Sequence, residues 1–95
     1  FNTAIAAYAY DLNYELRVVG RGRTSTTGPL HAFRTKPGQG ITASFPDADM
    51  GTLSGNSADT SVAWAISDSG YVAGSSKTTS GQTRAFRFTG STYTL

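Results

Sequence analysis

Asp47-Ala48-Asp49-Met50-Gly51 places two carboxylates two positions apart, with a glycine two positions further on. Alternating oxygen ligands and a turn glycine are how a calcium loop begins. Asp47 and Asp49 are therefore the candidate metal ligands, and calcium is the ion they would hold. The next acidic residue is Asp59, which does not complete an EF-hand, so the plainer reading is an acidic turn. Glycoside hydrolysis also uses paired carboxyls, facing across a cleft at about 5–10 Å with one pKa raised. Side by side in a polar stretch, both carboxylates are expected to be solvated. His31 is the only histidine. A catalytic base needs a nucleophile or an orienting carboxylate in reach; a second copy of its motif carries Arg84 instead, which points to a polar role at a strand end. With no cysteine, neither a disulfide nor a thiolate nucleophile exists.

Non-covalent chemistry has more candidates. Arg17, Arg21, Gly22 and Arg23 form a basic cluster downstream of Tyr10 and Tyr14, and basic residues interleaved with aromatics can hold nucleic acid or sulfated glycans. Arg21 and Arg23 are kept as candidate ligand contacts against the plainer reading of a solvated hairpin face. Tyr71 and Tyr93 are candidates for stacking on sugar. Trp64 and Tyr10 occupy equivalent positions and, counted by period two, fall with Ile66 and Leu12 in the core. Gly20-Arg21-Gly22 lies in a β context with no helix to cap a phosphate, so it is no phosphate loop.

The scaffold for these groups is small. Ninety-five residues make one domain that buries roughly 60–65% of its unfolded surface. A formal charge of +2 makes nucleic acid an unlikely partner by charge alone. No apolar run reaches the roughly 18 residues of a membrane-spanning helix. Phe1-Asn2-Thr3-Ala4 does not read as a signal peptide, and a first residue other than Met points to a piece of a longer product. Ser, Thr, Gly and Ala dominate while Lys and Glu are scarce, which suits strands and turns.

The chain repeats itself. Ala63-Trp64-Ala65-Ile66-Ser67-Asp68-Ser69-Gly70-Tyr71-Val72-Ala73-Gly74 and then Arg84-Ala85-Phe86-Arg87 echo Ala9-Tyr10-Asp11-Leu12-Asn13, Val18-Val19-Gly20 and His31-Ala32-Phe33-Arg34, at offsets of about 54 and 53 residues. Such a period marks units that bury an apolar face against a neighbour. The fold expected is all-β: antiparallel four-stranded units, about two in this chain, unit one about 3–53 and unit two about 54–95 with its last strand incomplete. Strands are predicted over 3–12, 30–34, 41–45 and 83–88, and a hairpin over 62–67 and 71–76 about Asp68-Ser69-Gly70. The first copy lacks that glycine, so its hairpin is expected to be wider or differently turned. Residues 46–55 read as the connector. Ala32 and Phe33 on opposite faces suit packing of small against large between sheets.

These motifs resemble the bacterial HAF extracellular repeat family, named for the tripeptide seen here as His31-Ala32-Phe33. The family's unit runs approximately DLGTLGG, A-x-A-I-N-x-x-G-x-V-V-G and HAF plus an aromatic. Met50-Gly51-Thr52-Leu53-Ser54-Gly55, the segment Ala63–Gly74, and Arg84-Ala85-Phe86-Arg87-Phe88 follow it in order. Ser67 stands where Asn is usual and Arg84 replaces the His. The resemblance implies a secreted or surface-attached bacterial protein with blades like those of a β-propeller, closed rings of which typically need four to eight. Two blades then need adjacent repeats of a longer chain, or copies of this one; three copies would make six blades. The expected function is a non-catalytic extracellular module that binds or builds surface structure. The alternatives are a carbohydrate-binding lectin assembled from two-blade subunits and, third, a secreted hydrolase fragment.

Overall fold

A computed structural model describes residues 7–23, 27–37 and 49–89. Among them the chain is all-β: β1 (Ala7–Leu12), β2 (Val18–Arg23), β3 (Leu30–Arg34), β4 (Asp49–Gly51), β5 (Ser61–Ile66), β6 (Val72–Lys77) and β7 (Thr83–Phe88). They form two antiparallel sheets, ordered β1-β2-β3-β4 and β5-β6-β7. No helix among these residues is long and apolar enough to cross a membrane. The hairpin predicted in unit two is present as β5 and β6, shifted by one residue. Asp49–Gly51, read as connector, instead pairs with β3 as the outer strand of the first sheet. The strand expected at 41–45 and the incomplete last strand lie outside the described residues.

Each unit begins with a bulge at the same place. β1 pairs Ala9 with Gly20 and then Asp11 with Val19, leaving Tyr10 as the extra residue. β5 pairs Ala63 with Gly74 and then Ala65 with Ala73, leaving Trp64 extra. A bulge puts two residues opposite one and bends the strand toward its partner. The partner here is a glycine both times. A Cβ on Gly20 would run into the Tyr8 carbonyl oxygen, and one on Gly74 into that of Val62 and into Phe86 ring carbons 2.7 and 2.8 Å away. The bulge also corrects the period-two reading. Ala63 and Ile66, three positions apart, both pack in the core, while Tyr10 and Trp64 are 38% and 51% exposed.

The two hairpin turns are the same turn, contrary to the wider first hairpin expected. Gly70 N–H donates to Ser67 O and Ser67 N–H to Tyr71 O; Leu16 N–H donates to Asn13 O and Asn13 N–H to Arg17 O. The side chains match as well, with Ser67 Oγ accepting from Tyr71 N–H and Asn13 Oδ1 from Arg17 N–H. The left-handed position is Gly70 at φ 86° in one turn and Leu16 at φ 61° in the other. A branched side chain is strained there.

Register places Tyr8, Arg21 and Ala32 on one face of the first sheet, with Val19 and Arg34 beside them. Phe33 sits opposite Gly20 on the other face, as Phe86 sits opposite Gly74 in the second sheet. One core cluster joins Val19 and Ala32 to Ala63, Val72, Phe86 and Phe88, with Met50, Leu53 and Ile66 against it. The alanine face of unit one therefore meets the phenylalanine face of unit two, and the units stack head to tail. Polar contacts lock the junction. Ala32 N–H donates to Ser61 Oγ (2.8 Å) and Ile66 N–H to Asp11 Oδ2 (2.9 Å). Asn13 Nδ2 donates to Ser67 O and Tyr14 N–H to Asp68 Oδ1, each at 2.9 Å.

His31, expected at a polar strand end, is 2% exposed. Its Nδ1 lies 3.1 and 3.3 Å from the Asp49 carboxylate oxygens, and its Nε2 lies 3.0 Å from both Ser57 O and Asp59 O. Carbonyl oxygens only accept, so Nε2 carries hydrogen, and the carboxylate favours a second proton on Nδ1. The hydrogen bond to Asp49, with its charge, lifts the imidazole above the ordinary histidine value of 6.5 against the opposing effect of burial. The resulting imidazolium ties β3 to β4 and to the loop before β5. Arg84, its repeat equivalent, is exposed and donates to Gln82 Oε1.

Three outcomes follow from this architecture. Gly20→Ala and Gly74→Ala each lower stability by about 2–3 kcal/mol in urea unfolding, because the added methyl overpacks a fixed carbonyl. Leu16→Gly raises the stability of the dilute protein by about 0.5–1 kcal/mol, relief of left-handed strain outweighing the glycine's unfolded-state entropy. The folded-state pKa of His31 is raised, so its contribution is complete below pH 6.5 and is lost as pH climbs through the higher folded value. The urea midpoint therefore falls with rising pH across that window, and Asp49→Asn flattens the fall.

Candidate functional site

The bulges decide where the large rings go. β1 and β5 are edge strands of their sheets, and the extra residue in each is an aromatic turned out of the core. Tyr10 and Trp64 stack with ring centroids 4.8 Å apart and planes 29° from parallel. Tyr8 is 48% exposed beside them. The Arg21 guanidinium lies 5.4 Å from the Tyr8 ring centroid and 5.9 Å from that of Tyr10. Its Nε is buried without a hydrogen-bond partner, so the rings are the neighbours that hold the charge, as aromatic faces hold cations. Three half-exposed rings thus converge across the junction of the two units, backed by one cation.

Such a surface can stack. Aromatic faces are electron-rich, and the C–H groups on the flat side of a pyranose present weakly positive hydrogens to them. A nucleobase can use the same rings through its own π-face. Trp64 Nε1–H and the tyrosine hydroxyls add donors at the rim.

The residues singled out from sequence fall in different places. Arg21 belongs to the platform. Arg23 donates from Nη1 to Gly28 O (3.0 Å) and closes its own loop. Both arginines are half-buried, which replaces the solvated hairpin face expected for them. Tyr71, 51% exposed, lines a hollow on the outer face of the second sheet, apart from Arg21. Asp49 binds His31 and also accepts from Gly51 N–H at 2.8 Å, so its carboxylate is engaged within the fold. Asp47 and Tyr93 lie outside the described residues. Among the described residues no three of His, Asp and Glu come together to hold a metal ion.

Sequence reasoning passed over Tyr8, Tyr10 and Trp64 by assigning the last two to the core. The signal available was an aromatic at one position of both repeats, ten residues before a glycine in each: Tyr10 before Gly20 and Trp64 before Gly74. Among known proteins, no family model, curated sequence or solved structure matches this chain.

Proposed function

We propose that this chain is a non-catalytic binding module of a bacterial extracellular repeat protein, and that its ligand is a saccharide stacked on Tyr10, Trp64 and Tyr8. The observation that carries the reading is the exposed Tyr10–Trp64 stack at the junction of the two units. Two equivalent positions both hold large rings, and each bulge keeps its ring out of the core. The motifs that resemble HAF-type repeats support an extracellular setting, and the Ser- and Thr-rich composition agrees with it. Engagement of Asp49 by His31 takes support from a hydrolase reading, since that carboxylate is occupied as a counterion.

Trp64 is the only tryptophan, so its fluorescence reports on this platform alone. Titration with neutral and acidic oligosaccharides should give a saturable change. By calorimetry, Trp64→Ala and Tyr10→Ala should each weaken binding about tenfold, the effect of losing about 1–3 kcal/mol of ring stacking. Their urea midpoints should stay near that of the parent, and Tyr71→Ala should leave saccharide affinity unchanged. A flat response to every saccharide at millimolar concentration would overturn the reading; a response to single-stranded oligonucleotides instead would identify the platform as a base-stacking surface.

A further inference from the structure

The junction between the units contains a slot and a turn that fills it. The slot belongs to unit one, where Asp11, Asn13, Arg17, Val19 and Arg34 surround the place taken by the Ile66–Gly70 turn of unit two. Arg34 Nη1 donates to Gly70 O (2.8 Å), its guanidinium lies 4.5 Å from the Phe88 ring centroid, and Ile66 packs into the core beside it. The Arg17 and Arg34 guanidiniums both approach Gly70, lying 3.7 and 4.0 Å from where a Cβ would stand, which is ordinary contact; it is the left-handed φ of 86° that favours glycine there. Burial, with the Arg17 charge nearby, draws Arg34 below the ordinary arginine range.

Unit two carries the equivalent slot on the outer face of its sheet. There it is a hollow of about 390 Å³ lined by Ala65, Ile66, Tyr71, Val72, Ala73 and Arg87. Unit one carries the equivalent turn, Leu12–Leu16, with Leu12 55%, Tyr14 87% and Leu16 59% exposed. Both have changed in the same direction. In the slot, Asp11 becomes Ala65 and Arg17 becomes Tyr71, while Arg34 is kept as Arg87. In the turn, Asp68 corresponds to Tyr14 and Gly70 to Leu16. Where two guanidiniums meet a bare glycine in the filled junction, the open slot has Tyr71 at the position of Arg17 and the open turn has Leu16 at the position of Gly70. That leucine is held at φ 61° by the turn's own hydrogen bonds, and its side chain is left 59% exposed.

We propose that the outer face of the second sheet is an interface for a second copy of this chain, whose Leu12–Leu16 turn enters the hollow and sets Leu16 against Tyr71. The proposal extends the reading of the chain as a repeat module by naming its partner, and it is independent of the saccharide. The contact would repeat the junction inside the chain and is heterologous: each copy offers one turn and one slot, so assembly continues as a closed ring or an open filament, according to the rotation between copies.

The test uses sedimentation equilibrium over a concentration series. Leu16→Asp removes the apolar turn at a position where aspartate tolerates the left-handed backbone, and Tyr71→Asp removes the slot. Leu12→Asp serves as a second turn variant, and circular dichroism with urea unfolding verifies that each is folded. The parent chain should gain mass with concentration, and each variant should associate at least tenfold more weakly. An equimolar mixture of Leu16→Asp and Tyr71→Asp should form a dimer and stop there, because one intact turn and one intact slot remain between them. A parent that stays monomeric at every concentration, variants that assemble as the parent does, or a mixture that stays monomeric would each overturn the proposal. Both variants keep the platform, so their Trp64 response to saccharide separates failure of this interface from failure of the binding reading.

Discussion

A three-stranded sheet cannot bury Phe86 and Phe88 by itself. Those rings need a second surface, and the alanine face of the first sheet supplies it: Ala32 is wholly buried, and so is Val19. A larger residue at Ala32 would hold the sheets apart. Close packing of small against large therefore fixes the separation and orientation of the units. The cross-unit hydrogen bonds from Ala32 N–H to Ser61 Oγ and through Asp11, Asn13 and Arg34 form at that approach.

Within each unit the bulge is the second constraint, and it couples core to surface. One extra residue at Tyr10 or Trp64 lets Ala63 and Ile66 share a face while the aromatic leaves it. The glycine across the strand is what permits the carbonyl to come so close. Fold and platform thus rest on the same backbone feature: a chain that straightened the bulge would bring the ring inward and displace Ile66. His31 acts at the far edge, where its contacts with Asp49, Ser57 and Asp59 hold the short β4 strand and the following loop to β3. Its buried charge is compensated by an adjacent carboxylate, the condition under which such burial is tolerated.

Comparison of the two turns shows how a repeat diverges. The hydrogen-bond pattern survived the replacement of Gly70 by its counterpart Leu16, because the turn is held from both sides by Asn13 and by the neighbouring turn. Sequence reading expected a different hairpin from the lost glycine; local propensity was overruled by these contacts. Distant contacts overruled the local reading at Asp49 as well. Its D-x-D-x-G spacing looked like the opening of a cation loop, yet strand pairing with β3 brings it to a histidine eighteen positions away in sequence.

The all-β class, the hairpin about Asp68–Gly70 and the alternation of Ala32 with Phe33 were all legible in the sequence, because they depend on local turn chemistry and on side chains of period two. Arg21 was singled out from its charge and its aromatic neighbours, and it lies beside the Tyr8 and Tyr10 rings. The platform itself was not legible. Period two counts no extra residue, so the bulge went unread behind its one trace, an aromatic repeated ten residues before a glycine, and one uncounted residue reverses which way every later side chain points. Ring stacking between Tyr10 and Trp64, the burial of His31 against Asp49 and the filling of one slot but not its equivalent all join residues distant along the chain. Sequence alone determined the repeating strands and which faces could pack. Only the tertiary structure decided which face met which, since that choice belongs to the contact between units and to no single segment.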